Sequence, residues 1–225
     1  MISLVDKIPP LNSLRAESIK INCNYRLYKD VALFWVQDGN KAVISMLDGN
    51  MVILNVSADI DELREFVNMV SPLSVFSDAD TMTSLFGERF HRVFVMQSDY
   101  RFKGDKPSDT LNSSEIYRLL DVKGLSLPPY EFFAVDFCYR LNHGYLKYFA
   151  LKEICAAIGI SDGQAVLLNG IASHKKGMGS VALHGVLSQF GYKTAFAVCE
   201  RDVCGFYEKN NFIHIYDGGY WRKDS

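Results

Sequence analysis

Residues 169–180, NGIASHKKGMGS, place glycines, lysines and a serine between an apolar run and the start of a helical pattern. The apolar residues 165–168 before them are typical of a β-strand, and apolar residues at helical spacing follow until Gly191. The first N–H groups of a helix have no partner within it, and the helix dipole attracts anions there. Because glycine has no Cβ, Gly177 and Gly179 let an anion approach the backbone. The segment therefore predicts a turn that binds a pyrophosphate; a plain glycine turn with solvated lysines is the alternative.

Two common phosphate motifs can be compared with this turn. The P-loop pattern GxxxxGK followed by Ser or Thr does not fit it. The dinucleotide fingerprint G-x-G-x-x-A fits Gly177, Gly179 and Ala182, and Glu200 follows the next strand where a ribose-binding acid is expected. Against that fingerprint, three residues separate the strand from its first glycine, and the chain after Cys199 is too short for further parallel strands. A nicotinamide-binding protein is therefore the weakest of the alternatives.

The elements around the turn follow from apolar periodicity, which alternates between strand and helix and predicts an α/β or α+β fold. Strands are predicted at residues 31–37, 42–47, 51–56, 74–76, 89–96, 145–151, 154–160, 164–172, 194–199 and 212–216. Helices are predicted at residues 59–70, 114–122, 129–141, 176–190 and 202–209.

The chain contains an internal repeat. AVISMLDGNMVILNVSA (residues 42–58) aligns without a gap with AAIGISDGQAVLLNGIA (residues 156–172), and both predict a hairpin with an Asp-Gly turn. Two generic hairpins are the alternative to a true repeat. A polar stretch, residues 99–114, separates the two series and predicts domains at residues 1–110 and 111–225. Acidic residues, DIDE, follow the first copy where lysines and glycines follow the second, so the second copy is the candidate for binding phosphate.

Two segments resemble motifs of the GNAT acetyltransferases. GIASHKKGMGSVALHGVL (residues 170–187) is similar to the family's motif A, a strand, [Arg/Gln]-x-x-Gly-x-[Gly/Ala] and a helix, although His174 stands where Arg or Gln is usual. FYEKNNF (residues 206–212) is similar to the closing motif, with Asn210 and Asn211 in place of the usual x-Gly. The resemblance covers residues 145–216, and the first series resembles a degenerate copy.

The resemblance implies a GNAT-like mixed central sheet flanked by helices, in two tandem domains, with acetyl-coenzyme A as the co-substrate. It implies that the sheet opens between residues 164–172 and 194–199, with a β-bulge at Gly170; a type I′ hairpin turn at Asn169-Gly170 is the alternative. The cofactor-binding residues that it implies are Gly170, Ile171, Ala172, His174, Lys175, Lys176, Gly177, Met178, Gly179, Ser180, Phe206 and Lys209.

Acetyl transfer to an amine needs a base, an oxyanion donor and a proton for the leaving thiolate. The resemblance implies that the donor is the backbone N–H of Ile171 or Ala172 and that Tyr207 is the general acid, with packing on the cofactor as the alternative role. Glu200 is the candidate base, and a surface carboxylate is the alternative. His143 is a second candidate base, whereas a core position is expected for Cys199.

The composition limits the function classes further. A net charge of −2 over 225 residues offers no basic excess for general nucleic-acid binding, and no long apolar run predicts a membrane span. Five cysteines without a CxxC motif predict reduced thiols in a cytoplasmic protein and no metal site. Together with these limits, the resemblance implies that the chain acetylates an amine of a small molecule or peptide, and a homodimer is the assembly considered. A non-catalytic acyl-CoA-binding or partner-binding module is the alternative.

Overall fold

The computed structural model describes residues 1–11, 13–104, 106–125, 127–191 and 193–223. It contains two compact units. The first comprises Met1–Met96, Val198–Phe206 and His214–Ser225, and the second comprises Gln97–Ala197 and Tyr207–Ile213. The two units are defined by how compactly their residues pack. The predicted domain boundary at residue 110 separates the two repeats along the chain, and it stays a prediction.

In chain order the elements are β1 (Ile2–Leu4), α1 (Ala16–Tyr28), β2 (Leu33–Gln37), β3 (Ala42–Leu47), β4 (Asn50–Asn55), α2 (Ile60–Val70), β5 (Ser74–Asp78), α3 (Ala79–Phe86), β6 (His91–Ser98), α4 (Ser113–Leu120), α5 (Tyr130–Asn142), β7 (Leu146–Leu151), β8 (Cys155–Ser161), β9 (Ala165–Ser173), α6 (Met178–Ser188), β10 (Thr194–Cys199), α7 (Cys204–Lys209) and β11 (Ile213–Arg222). Each predicted strand and helix overlaps one of these elements. The predicted α/β class with a mixed sheet is therefore confirmed.

The first unit has a mixed sheet in the order β1-β2-β3-β4-β5-β11-β6. β4 and β5 are parallel, whereas β11, from the end of the chain, pairs antiparallel with β5. Leu63 and Phe66 of α2 pack with Ile44 in the core on one face. On the other face, Asn24 of α1 donates to Ser45, the residue next to Ile44 on β3. The sheet thus has helices on both faces.

The second unit has the strand order β10-β9-β8-β7, with β9 and β10 parallel. Phe149 of β7 meets Gly185 of α6, whereas the adjacent Tyr148 contacts Phe137 of α5. Because successive strand residues point to opposite faces, α6 lies on one face of this sheet and α5 on the other.

The predicted repeat recurs as structure. In both copies an antiparallel hairpin is followed by a helix and by a strand parallel to the hairpin's second strand: β3-β4-α2-β5 and β8-β9-α6-β10. The Asp48-Gly49 turn has positive φ at both residues (50° and 75°), which is the type I′ pattern. In the second copy, only Gly163 of the Asp-Gly pair has positive φ, at 94°. The alternative of two unrelated hairpins does not explain the shared helix and parallel strand.

Gly185 allows α6 to lie close to the sheet. A Cβ built there would overlap Cδ2 of Phe149, whose ring is fully enclosed. We expect Gly185→Ala to lower the free energy of unfolding by about 1–3 kcal/mol, because the ring has no room to move. Gly205 of α7 is the matched control: a Cβ there meets nothing within 4 Å. Gly205→Ala should therefore be neutral or stabilising by up to about 1 kcal/mol. Urea unfolding measures both, and equal losses would contradict the close packing.

Candidate functional site

β9 and β10 separate partway along their length. They pair in parallel from Ala165 and Thr194 to Leu168 and Ala197. β9 then continues to Ser173, and among the described residues β8 is the strand that pairs with this part. Residues 169–173 therefore form an open edge (the open edge below), where backbone groups can bind an extended ligand as an added strand would.

The open edge begins at a β-bulge. Leu168 lies opposite Gly159, and Gly170 lies opposite Ile158, so Asn169 is the extra residue. The sequence placed the bulge one residue later, at Gly170. The alternative type I′ hairpin turn is wrong, because β9 runs unbroken through both residues.

The register shows which backbone groups face the open edge. The His174 N–H donates to the Ile154 carbonyl at 2.8 Å, so this pair lies in a hydrogen-bonded position. Antiparallel ladders alternate, and Ala172 therefore directs its N–H toward β8, whereas Ile171 and Ser173 direct theirs to the open edge. Of the two oxyanion donors considered from the sequence, only Ile171 presents its N–H there.

The glycine turn, residues 174–180, joins the open edge to α6. Gly177 is the N-cap of α6 in a left-handed conformation (φ 81°), and a Cβ there would meet nothing within 4 Å. Glycine is therefore the residue that takes this backbone conformation at least cost and leaves the space above it open. The Met178 N–H donates to the Lys175 carbonyl, whereas the N–H groups of Gly179 and Ser180 precede the first helical bond.

The side chains of the turn present positive charge to solvent. Lys175 and Lys176 are exposed. The Lys175 N–H donates to Ser173 Oγ at 3.3 Å, so it is already engaged within the turn. His174 Nε2 donates to the Leu119 carbonyl at the end of α4, at 3.1 Å, which fixes the entry to the turn. The arrangement suits a dianion near the start of α6.

The FYEK segment forms α7. Tyr207 is buried, and its ring makes a T-shaped contact with Phe212 at 5.4 Å. Lys209 is exposed, and Phe206 is half-buried and belongs to the first unit. The chain leaves the helix through Asn211 at φ 64°, which confirms that asparagine takes the place of the usual glycine.

Glu200 lies in the first unit and has a partner that the sequence did not indicate. His91 Nε2 lies 2.6 Å from both carboxylate oxygens of Glu200. Both side chains are partly exposed. The pairing joins residues 109 positions apart, so no local pattern could have shown it. The candidate base is thus held by an imidazole.

The candidates Cys199 and His143, and one histidine that was not a candidate, His184, contact neighbouring side chains or backbone groups. Cys199 is buried, and burial, with Cys204 Sγ at 3.9 Å, raises the pKa of its thiol, which confirms the expected core position. His143 Nδ1 bonds the Tyr139 carbonyl at the end of α5. His184 of α6 packs its ring on Phe102. None of the three has the surroundings of an activated base or nucleophile.

The corresponding helix start in the first repeat is closed to an anion. Asp59 caps α2 by accepting from the Glu62 N–H, and the Glu62 carboxylate in turn accepts from Gln37. The gap between β4 and β5 is also bridged, since Ser77 Oγ donates to the Ile53 carbonyl at 2.8 Å. These contacts support the prediction that only the second copy binds phosphate.

Known structures share the fold. A GCN5-related N-acetyltransferase from Sphaerobacter thermophilus matches with a TM-score of 0.53 and 11% identity, over 85% of this chain and 80% of that one. A putative acetyltransferase from Pyrococcus horikoshii matches with 0.54 and 8%, over 91% and 78%. A tandem GNAT protein from the clavulanic acid biosynthesis pathway matches with 0.52 and 9%, over 94% and 90%.

These likenesses define a class by fold: the chain has the fold of the GNAT N-acetyltransferases, and a tandem member of that class matches nearly its whole length. The sequence matches no protein-family model and no curated protein. The antiparallel pairing of β11 also differs from the further parallel strand that a dinucleotide fold would add after β10.

Two further properties of the described residues bear on the site. No helix among them combines the length and apolar character that crossing a bilayer requires. Within the same residues, no three His, Cys, Asp or Glu side chains are grouped as metal ligands would be.

Proposed function

We propose that this chain is an N-acetyltransferase that moves an acetyl group from acetyl-coenzyme A to a primary amine. The observation that carries the proposal is the separation of β9 from β10 after Leu168. Beyond this point β9 leads directly into the glycine turn. A linear ligand with a pyrophosphate at one end fits that combination. Its extended part would lie along the open edge, and its charged part at the start of α6.

The residues of the glycine turn fit the co-substrate. The open space above Gly177 leaves room for a phosphate against the backbone. The N–H groups of Gly179 and Ser180 would donate to it, with charge from Lys175 and Lys176. Gly170, Ile171 and Ala172 would hold the extended arm, and His174 and Met178 would shape the turn between them. We retain Phe206 and Lys209 as further contacts proposed from the FYEK resemblance.

Acetyl-coenzyme A would supply the acetyl group as a thioester. The neutral amine of the acceptor forms the new C–N bond, and the C–S bond breaks. The Ile171 N–H would donate to the carbonyl oxygen as negative charge develops on it. The Tyr207 hydroxyl would give its proton to the departing thiolate.

Glu200 is the proposed base, and its contact with His91 refines that role. An ionised carboxylate only accepts, so the His91 Nε2–H would donate to Glu200 and orient it, and the carboxylate itself would accept the proton of the ammonium group. The exposure of the pair allows exchange of that proton with water.

The proposal is tested by following thiol release from acetyl-coenzyme A with a panel of primary amines and lysine peptides. Mass spectrometry of the acceptor identifies the product. We expect acceptor-dependent release and an acceptor that gains one acetyl group. Tight binding of acetyl-coenzyme A with no acetylated product from any acceptor would instead indicate the non-catalytic acyl-CoA-binding module.

A further inference from the structure

A cavity of about 600 Å³ with both charged and apolar side chains in its wall lies within the first unit. Its wall includes Asn55 at the end of β4, Asp78 at the end of β5, the start of α3 and residues of β11. It thus lies outside the carboxyl ends of two neighbouring parallel strands, a common place for ligands in α/β sheets. The volume is in the range of small-molecule sites. The acetyl-transfer proposal assigns nothing to this cavity.

The wall carries charges of both signs. Two guanidinium groups, Arg15 and Arg92, line it together with three carboxylates, Asp78, Asp80 and Asp217. Arg15 Nη2 lies 3.6 Å from Asp78 Oδ2, and Arg92 Nη1 lies 3.1 Å from Asp217 Oδ2. Neither pair is bidentate, and all four side chains retain accessible surface. Both guanidinium groups therefore have hydrogen-bonding capacity beyond these contacts.

A buried carboxyl group holds Arg15 in place. Glu17 is fully buried, and its Oε2 lies 3.4 Å from Arg15 Nε and accepts from the Tyr216 hydroxyl at 2.6 Å. The guanidinium of Arg15 also lies over the Tyr216 ring, 4.5 Å from its centroid. Burial raises the pKa of the Glu17 carboxyl, and Arg15 opposes that rise. The guanidinium group of Arg15 is therefore held in the cavity wall by the Glu17 carboxyl group and by the Tyr216 ring.

The cluster of Arg15, Glu17 and Tyr216 contains buried polar atoms that make no hydrogen bond to any described residue. Among the described residues, Glu17 Oε1 and Arg15 Nε are enclosed and have no hydrogen-bond partner. Buried polar atoms without a partner are uncommon in folded proteins, and an ordered water or a bound group is one explanation of them. The cluster adjoins the cavity through Arg15 and Tyr216, which both line it.

We propose that this cavity binds a free amino acid. The carboxylate of the ligand would pair with Arg15 and Arg92, and its ammonium group with the three aspartates. A polyamine would meet the two guanidinium groups, and a nucleotide would meet three carboxylates, so the mixed wall favours a ligand with both charges. The site lies in the first unit and does not depend on acetyl transfer.

The test uses the whole protein without acetyl-coenzyme A and screens the twenty proteinogenic L-amino acids by ligand-observed NMR and calorimetry. The amino acid that binds best is then compared with its decarboxylated amine and its deaminated acid. We expect at least one amino acid to bind with a Kd of about 1 mM or lower, and each truncated ligand to bind at least about tenfold more weakly. Failure of all twenty to bind, or equal affinity for either truncated ligand, would overturn the proposal.

A matched pair of variants locates the binding. Arg92→Gln removes a half-exposed cation from the wall and should weaken the amino acid about tenfold. Arg64→Gln is the control, because Arg64 lies on α2, bonds Asp61 and does not line the cavity. Its affinity should equal that of the unmodified protein. Unchanged affinity in folded Arg92→Gln would place the binding elsewhere and contradict the proposal.

Discussion

Gly177→Glu is expected to weaken the binding of acetyl-coenzyme A about a hundredfold, or about 2.7 kcal/mol. The new side chain would fill the open space above the N-cap of α6, and its carboxylate would repel the pyrophosphate. The same carboxylate would also offset the positive end of the helix dipole, which otherwise attracts an anionic ligand. Calorimetric titration of the folded variant measures the change.

The left-handed conformation of Gly177 complicates this variant, since a side chain there carries a strain of about 1–3 kcal/mol. Gly191 provides the control, because it has a similar φ (73° against 81°) and equally open surroundings but lies beyond the other end of α6. Gly191→Glu should show a similar loss of stability and nearly unchanged affinity. Equal affinity in the two folded variants would remove the phosphate role of the glycine turn.

Tyr207→Phe is expected to lower kcat about a hundredfold while leaving KM for acetyl-coenzyme A nearly unchanged. The substitution removes the hydroxyl proposed to protonate the thiolate and keeps the ring that packs on Phe212. A general acid causes the rate to fall at alkaline pH, where it is ionised. This fall should be weaker in the variant, because the hydroxyl is gone. Steady-state kinetics between neutral and alkaline pH measure both effects.

A control separates chemistry from packing. Tyr139→Phe removes a hydroxyl from a partly exposed tyrosine on α5, and its kcat should match that of the unmodified protein. If Tyr207 only packs on the co-substrate, Tyr207→Phe would retain full kcat. That result would require another acid, or protonation of the thiolate by water.

The central part of the fold could be predicted because its signals are local. The Asp-Gly turns, the apolar runs of β8 and β9 and the glycines before α6 all lie within a few residues of what they determine. The same holds for the FYEK helix and for Asn211, whose positive φ follows from a residue type that tolerates it. The position of the bulge differed by one residue because Asn169 and Gly170 are both compatible with it.

The elements and contacts that were missed depend on residues far apart in the chain. α1 includes buried polar side chains, such as Glu17 and Asn24, that interrupt its apolar spacing. Burial of Glu17 becomes favourable only through Arg15 and Tyr216, and Tyr216 follows 199 residues later. β1 was missed because it has only three residues, and α3 because its eight residues form a short pattern directly after β5.

The candidate functional sites also differ in whether their residues are close together or far apart in the chain. The turn that would hold a pyrophosphate could be recognised from its spacing, since the strand, the glycines and the helix are consecutive. The His91–Glu200 pair and the charged cavity each combine residues from distant segments, so only the tertiary structure shows them. The sequence therefore supports a proposal for the co-substrate more directly than a proposal for the base or for the further ligand site.

Titration of the purified protein with acetyl-coenzyme A, with NAD as the comparison ligand, tests the central claim most directly. The open edge and the glycine turn predict saturable binding of acetyl-coenzyme A with a micromolar Kd and no binding of NAD at the same concentrations. Absence of acetyl-coenzyme A binding, or tighter binding of NAD, would contradict the account.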